Sequence, residues 1–299
     1  MANAAEKFLL NYQEHFLWSV LTTTNNTRPS PRVGQLRHSS DLGFFYTTKT
    51  GTSKIAQIEK NPLATISLYP KKGFDTIVAH VSLRLSAERR DLDAAWSDEL
   101  LQYGYTGKND ERLRVILITV HQVTFGKDSY EGTPIDPKIE GKISKGESQS
   151  IATGPFKTKE IDELLKKTFT PKKLADLITF QGSYHDSRVM EVHYKEGVGL
   201  FSSTHLGSKK VNEIQVNENV ALLVSDQKAW DQIIVDAVAK ICTCPEMKKK
   251  VWEDSLKAFG FKGADDEQLT LIIYTPRRTI HHTMVAPPEE LVAEPIPSK

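Results

Sequence analysis

Apolar and polar positions alternate along several short runs of the chain. Residues 19–24, 32–37, 43–48, 64–69, 76–87 and 114–124 are rich in β-branched and aromatic side chains, several with period two, and predict strands. Elsewhere helical spacing replaces alternation. Residues 4–16 predict an opening helix, and residues 158–169 a second, begun by Thr158 ahead of Ile161 and Asp162. Residues 53–60 place Ile55 and Ile58 three apart and stop at Asn61 and Pro62, the pattern of a short helix. Residues 92–103 predict another, with Trp96 and Leu100 four apart on one face. Six strands with few helices between them favour an antiparallel barrel over a doubly wound parallel sheet, and no G-x-G-x-x-G follows a strand.

The pattern then recurs. Pairing each residue with the one 156 positions later matches Arg32 and Val33 with Arg188 and Val189, Gly43 with Gly199, and Phe45 with Phe201. The same offset, without a gap, matches Gly51 with Gly207, Lys54 with Lys210, Ile58 with Ile214, Asn61 with Asn217, and Asp75 with Asp231. It continues through Trp96 and Trp252, Gly104 and Gly260, Gly107 and Gly263, to Asp110–Glu111 and Asp266–Glu267. Roughly two dozen of about 100 aligned positions are identical, the mark of an internal duplication. The expected organisation is copy 1 at residues 1–130, a linker at 131–157, copy 2 at 158–285 and a flexible tail at 286–299. The stretch 126–157 holds five glycines, three prolines and four serines, a connector composition, and the tail holds four prolines.

Composition narrows the function classes. A hydrophobic fraction of 39% and a charged fraction of 26% are enough for each copy to bury a core, which excludes wholesale disorder. Lysine plus arginine total 39 against 38 acidic residues, so no chain-wide basic field points to nucleic acid or an anionic membrane. No apolar run approaches the roughly 20 residues that span a bilayer. Residues 1–10 lack the features of a secretion leader. Cys242 and Cys244, the only cysteines, make no disulfide framework, and a cytoplasmic protein is expected.

Candidate chemistry gathers around the short helix. Arg32 on one strand, Thr47 and Thr48 on the next, and Ser53 and Lys54 at the helix start combine donors that suit a phosphate. Copy 2 repeats the set as Arg188, Ser202 and Ser203, then Ser208, Lys209 and Lys210. The bland alternative is a group of solvated surface cations.

These residues carry a resemblance. Arg32–Val33, the run 43–48, and the run 53–62 resemble the pyridoxamine 5′-phosphate oxidase-like, FMN-binding split-barrel family. The stretch from Trp96 through residues 104–107 to Glu111 is similar to its general stress protein branch, and copy 2 repeats it from Trp252 to Glu267. The resemblance implies a mainly β fold with flanking helices: two tandem six-stranded split β-barrels, joined as an intrachain pseudo-dimer with FMN at the interface. It implies that Arg32 and Arg188, each followed by a valine (Val33, Val189), contact the flavin. It implies further that Ser53, Lys54, Ser208, Lys209 and Lys210 hold its phosphate, and that Thr47 and Ser203 add strand hydroxyls. Arg37 is the implied basic residue ending the second strand, where copy 2 has His193. Gln232 is the implied fifth-strand glutamine, where copy 1 has Thr76. The implied function is an FMN-dependent oxidoreductase acting on a small-molecule redox substrate, with deazaflavin or haem as other occupants. The pyridoxamine-phosphate oxidase's own C-terminal arginine and histidine have no match, which argues against that particular activity.

The competing class is non-catalytic: a flavin carrier, a stress-related binding protein, or a duplicated scaffold without cofactor. Other features read as structure. Cys242 and Cys244 share a strand face but have no second pair or counterpart in copy 1, so no metal site is expected. His281 and His282 alternate across a strand. Lys248–Lys250 read as a solvated helix face, and no G-x-S-x-G supports a serine nucleophile.

Overall fold

The computed structural model describes residues 2–13, 18–25, 28–68, 76–139, 159–226, 231–283 and 289–292. Residues 14–16, Tyr69, Asp75, the linker from 140 to 157, the cap residue Thr158 and most of the tail lie outside them. The chain divides into two compact units, one of Met1–Asn26, Ser30–Ser148 and Gly182–Asp186, the other of Thr27–Pro29, Gln149–Gln181 and Ser187–Lys299.

Copy 1 runs α1 (Ala4–Gln13), β1 (Trp18–Asn25), β2 (Arg28–Gln35), β3 (Arg37–Ser39), β4 (Gly43–Lys49), α2 (Ser53–Lys60), β5 (Leu63–Leu68), β6 (Ile77–Ser86), α3 (Arg89–Ala95), β7 (Leu113–Phe125) and β8 (Asp128–Glu131). Its sheet has the order β2-β1-β5-β6-β7-β4-β3, with β8 added beside β7. The pairings described for it are antiparallel, as its alternating strands require. Leu21, Ile66, Leu68, Val81, Ile116 and Val120 fill the interior, and α1 adds Ala5 and Leu9, both fully buried.

Copy 2 runs α4 (Lys159–Thr168), β9 (Lys173–Gln181), β10 (Tyr184–Lys195), β11 (Gly199–His205), α5 (Lys209–Val216), β12 (Asn219–Asp226), β13 (Asp231–Cys242), α6 (Pro245–Val251), β14 (Leu269–His282) and β15 (Glu289–Val292). The order is β11-β10-β9-β12-β13-β14-β15, and β11 also pairs with β14. That last pairing closes β9 to β14 into a six-stranded barrel. Leu165, Phe169, Leu177, Leu222, Val235 and Ile272 fill it.

The duplication extends to irregularities. The ladder slips between His80 and Val81 in copy 1 and between Asp236 and Ala237 in copy 2, the same place at the 156-residue offset. Asp110 accepts from the backbone N–H of Thr106 and Arg112; Asp266 does the same for Lys262 and Gln268.

Four expectations need correction. The second strand of copy 1 is longer than 32–37 and is broken at the fully buried Leu36 into β2 and β3. Pro29 and Pro31 lack donors and Gly34 lacks a side chain, which weakens the strand as a continuous ladder; copy 2 has neither residue type in β10 and stays continuous. The helix expected at 92–103 is α3 followed by a 3₁₀ segment, Asp98–Tyr103, because Trp96 and Ser97 are extended and Leu100 turns into a separate small core. Part of the segment expected as a tail forms a strand: Glu289–Val292 pair with Arg278–His281. Asp128–Glu131, inside the glycine-rich connector, likewise form a strand against β7.

Candidate anion-binding site

The strand alternation of β1 and β2 brings Thr23 and Arg32 to one face, and α2 lies over β1. The Arg32 guanidinium donates from Nη1 to Thr23 Oγ1 at 2.7 Å, and from Nη2 to Ser30 Oγ and Gln57 Oε1, both at 2.8 Å. Gln57 reaches it because it sits one turn beyond Ser53 on α2. Lys54, at the start of the same helix, donates from Nζ to Thr48 Oγ1 at 2.9 Å. Both cations are partly buried, and among the described residues neither has a carboxylate within ion-pair distance. Burial pulls Arg32 down to about 10. Burial, and then the charge of Arg32, pull Lys54 down to about 8.

Copy 2 reproduces this geometry at the same offset. Arg188 donates to Thr179 Oγ1 at 2.5 Å and to Glu213 Oε2 at 2.8 Å. Thr179 also donates to Glu213 Oε2 at 2.6 Å. Lys210 Nζ meets Thr204 Oγ1 at 3.2 Å, as Lys54 meets Thr48. Glu213 thus stands where copy 1 has Gln57.

The structure gathers some of the expected residues and separates others. Arg32 and Lys54 meet around β1, β4 and α2, and Arg188 and Lys210 around β9, β11 and α5. Ser53 is exposed at the start of α2, and Ser208 precedes α5, with Lys209 as its first residue. Val33 and Val189 are half-buried next to their arginines. Thr47 and Ser203 are not the hydroxyls bonded to the lysines: alternation along β4 and β11 gives that place to Thr48 and Thr204. Arg37 stands apart, bound to Gln35, Ser97 Oγ at 2.8 Å and Glu99 Oε2 at 2.9 Å, so it fastens β3 to the 3₁₀ segment. His193 stacks on Phe201, and burial lowers its pKa. Gln232 is buried near the start of β13, opposite Ser225 and five residues from Ala237. Ala237 faces Val220, beside the contact of Ala221 with Ile178. At about 3.3 Å per residue this places Gln232 about 16 Å along the strand from the Thr179 end.

Reading the sequence for cations misses Thr23 and Gln57, and of the two threonines it names on β4 the one bonded to the lysine is Thr48. Their signal was present: threonine recurs at 179 and 204, whereas Thr47 changes to serine and Gln57 to glutamate.

Fold and site together define a duplicated split-barrel protein with an arginine–lysine cradle in each copy. Residues 158–280 match the family model described as pyridoxamine 5′-phosphate oxidase like. Through that domain the chain resembles the pyridoxamine 5′-phosphate oxidase-like family. Among solved structures, it is similar to general stress protein 26 from Bacillus anthracis str. Sterne, at 26% identity and a TM-score of 0.39, over 44% of this chain and 98% of that one. A protein related to general stress protein 26 from Clostridium acetobutylicum is similar at 16% identity and a TM-score of 0.38, over 44% and 92%. The general stress FMN/FAD binding protein from Xanthomonas citri is similar at 16% identity and a TM-score of 0.36, over 44% and 93%. No curated protein matches. Among the described residues no helix is long and apolar enough to cross a membrane.

Proposed function

We propose that this chain binds FMN and, with FMN bound, is an oxidoreductase for a small-molecule redox substrate. The observation that carries the reading is the Arg32–Lys54 pair: two partly buried cations beside strand hydroxyls, without an ion-paired carboxylate among the described residues. Two such charges repel each other and lose hydration, so the arrangement is stabilised by an anion. The donor set fits a phosphate monoester: a guanidinium fork, an ammonium and the exposed hydroxyl of Ser53. Arg32 and Lys54 would hold the phosphate, with Ser53 adding a hydrogen bond. Thr23 and Gln57 fix the guanidinium plane by accepting from it. Thr48 fixes the ammonium of Lys54. Bound FMN supplies one- and two-electron transfer.

A carrier is the second reading, favoured by one observation. The groups bonded to Arg32 and Lys54 are hydroxyls and an amide, and none is an acid or base poised near neutral pH.

The test is the absorption spectrum of protein purified without added cofactor, followed by FMN titration. A two-band flavin spectrum or saturable FMN binding is expected. A Soret band, or a chain that takes up no FMN, would overturn the reading. Bleaching of the bound flavin by NAD(P)H separates the enzyme from the carrier.

The titration should also depend on pH. Anion binding favours the charged form of Lys54, whose pKa in the free protein is about 8. Affinity is therefore expected to hold below that value and to fall above it, by up to about tenfold per pH unit for one linked proton. Equal affinity at neutral pH and well above 9 would remove Lys54 from the site.

A further inference from the structure

We infer that the two copies are not equivalent: copy 1 takes a phosphate monoester at Arg32 and Lys54, while Glu213 closes the matching place in copy 2 to anions. The inference rests on the reading that these cations hold a phosphate, and it adds which copy does so.

The two places share their threonine contacts and differ in the groups around them. Arg32 and Arg188 each bond a β-strand threonine, Thr23 or Thr179. Lys54 and Lys210 each bond the penultimate residue of a strand, Thr48 of β4 or Thr204 of β11. The second acceptor of Arg32 is the neutral amide of Gln57; that of Arg188 is the carboxylate of Glu213. Arg188 and Glu213 form an ion pair at 2.8 Å with side chains 16% and 8% exposed. Oε1 of Glu213 has no hydrogen-bond partner among the described residues. It lies 3.8 Å from Nζ of Lys209, an exposed lysine where copy 1 has Ser53.

A phosphate approaching Arg188 therefore meets a buried carboxylate that already holds the guanidinium. The anion would have to displace a charge-assisted bond and leave that carboxylate beside it without its partner. In copy 1 the same approach meets an amide, which keeps the guanidinium in place without opposing the anion. A second sequence difference runs the same way: Ser30, an acceptor of Arg32, is replaced at the offset by Asp186.

Isothermal titration with FMN, and with riboflavin as a phosphate-free control, tests the assignment on the full chain. The expected stoichiometry is one FMN per chain. Gln57→Glu should weaken that site at least tenfold, with little change toward riboflavin. Glu213→Gln, strengthened by Asp186→Ser, should open a second FMN site. Glutamine retains an oxygen for Thr179, and thermal melts followed by circular dichroism check that each variant folds. If Gln57→Glu does not fold, the glutamine and serine variants of copy 2 decide alone. Two equal FMN sites in the unmodified chain would overturn the inference and leave the cation cradle standing. So would a single site that survives Gln57→Glu and disappears in Arg188→Ala. A chain that binds no FMN would overturn both the inference and the function on which it rests.

Discussion

Replacing Arg32 by alanine and Lys54 by methionine together should lower FMN affinity by about 3–6 kcal/mol, or roughly 150-fold to 25,000-fold. Each cation contributes one charge-assisted interaction with a phosphate, at about 1.5–3 kcal/mol. The pair approaches additivity only if the two groups bind the phosphate independently, and their mutual effect on Lys54 shows coupling. Quenching of flavin fluorescence on binding measures the change, with the single variants completing a double-mutant cycle. An affinity within threefold of the unmodified chain would remove both residues from the site.

The same lysine should show an opposite effect on stability. Its pKa in the folded chain is about 8, below the usual lysine value, because burial and then Arg32 disfavour the charge. The unfolded chain binds more protons between that value and about 10.4, so stability should rise with pH across this window. Below it the charged lysine weakens the fold, and Lys54→Met alone is expected to raise the melting temperature at pH 7 in the absence of ligand. A residue that lowers stability when the site is empty and raises affinity when it is filled is what a binding role requires.

The second large effect is on the core of copy 2. Phe169→Ala should destabilise its folded unit by about 3–5 kcal/mol. Phe169 follows α4 and is 1% exposed among Ile161, Leu165, Leu177 and Val192. Its N–H bonds the carbonyl of Leu165 at 2.8 Å, which holds the backbone of the helix end while the ring enters the barrel. Truncation leaves a cavity that the closed ladder of β9 to β14 cannot collapse, since those strands are tied on both sides. Urea unfolding followed by tryptophan fluorescence would read the loss. A change under 1 kcal/mol would mean that the ring is not a central element of this core.

Much of the architecture was legible in the sequence because it depends on local periodicity and on repetition. The runs at 43–48 and 64–69 are apolar or β-branched on both faces, so strands there follow from burial alone, and β4 and β5 form nearly as expected. Asn61 and Pro62 end α2 where a proline must stop a helix. Other boundaries were not legible. The α3 to 3₁₀ break depends on where Leu100 finds a cavity, and β15 depends on the free edge of β14.

By itself the sequence determined that two copies of one β domain exist, where their arginines and lysines lie, and that each lysine opens or adjoins a short helix. Those properties follow from residue type and spacing within a few turns or strand positions. Only the tertiary structure decided which groups face those cations. Gln57 and Arg32 are 25 residues apart, as are Glu213 and Arg188, and a helix must pack on a strand before either pair can meet. That packing turns an unremarked exchange of glutamine for glutamate into the presence or absence of a buried carboxylate beside an arginine. Over such a distance in the chain the meeting is set by the core beneath each helix, where Ile58 of α2 and Ile214 of α5 are buried in their own copies, and not by local propensity.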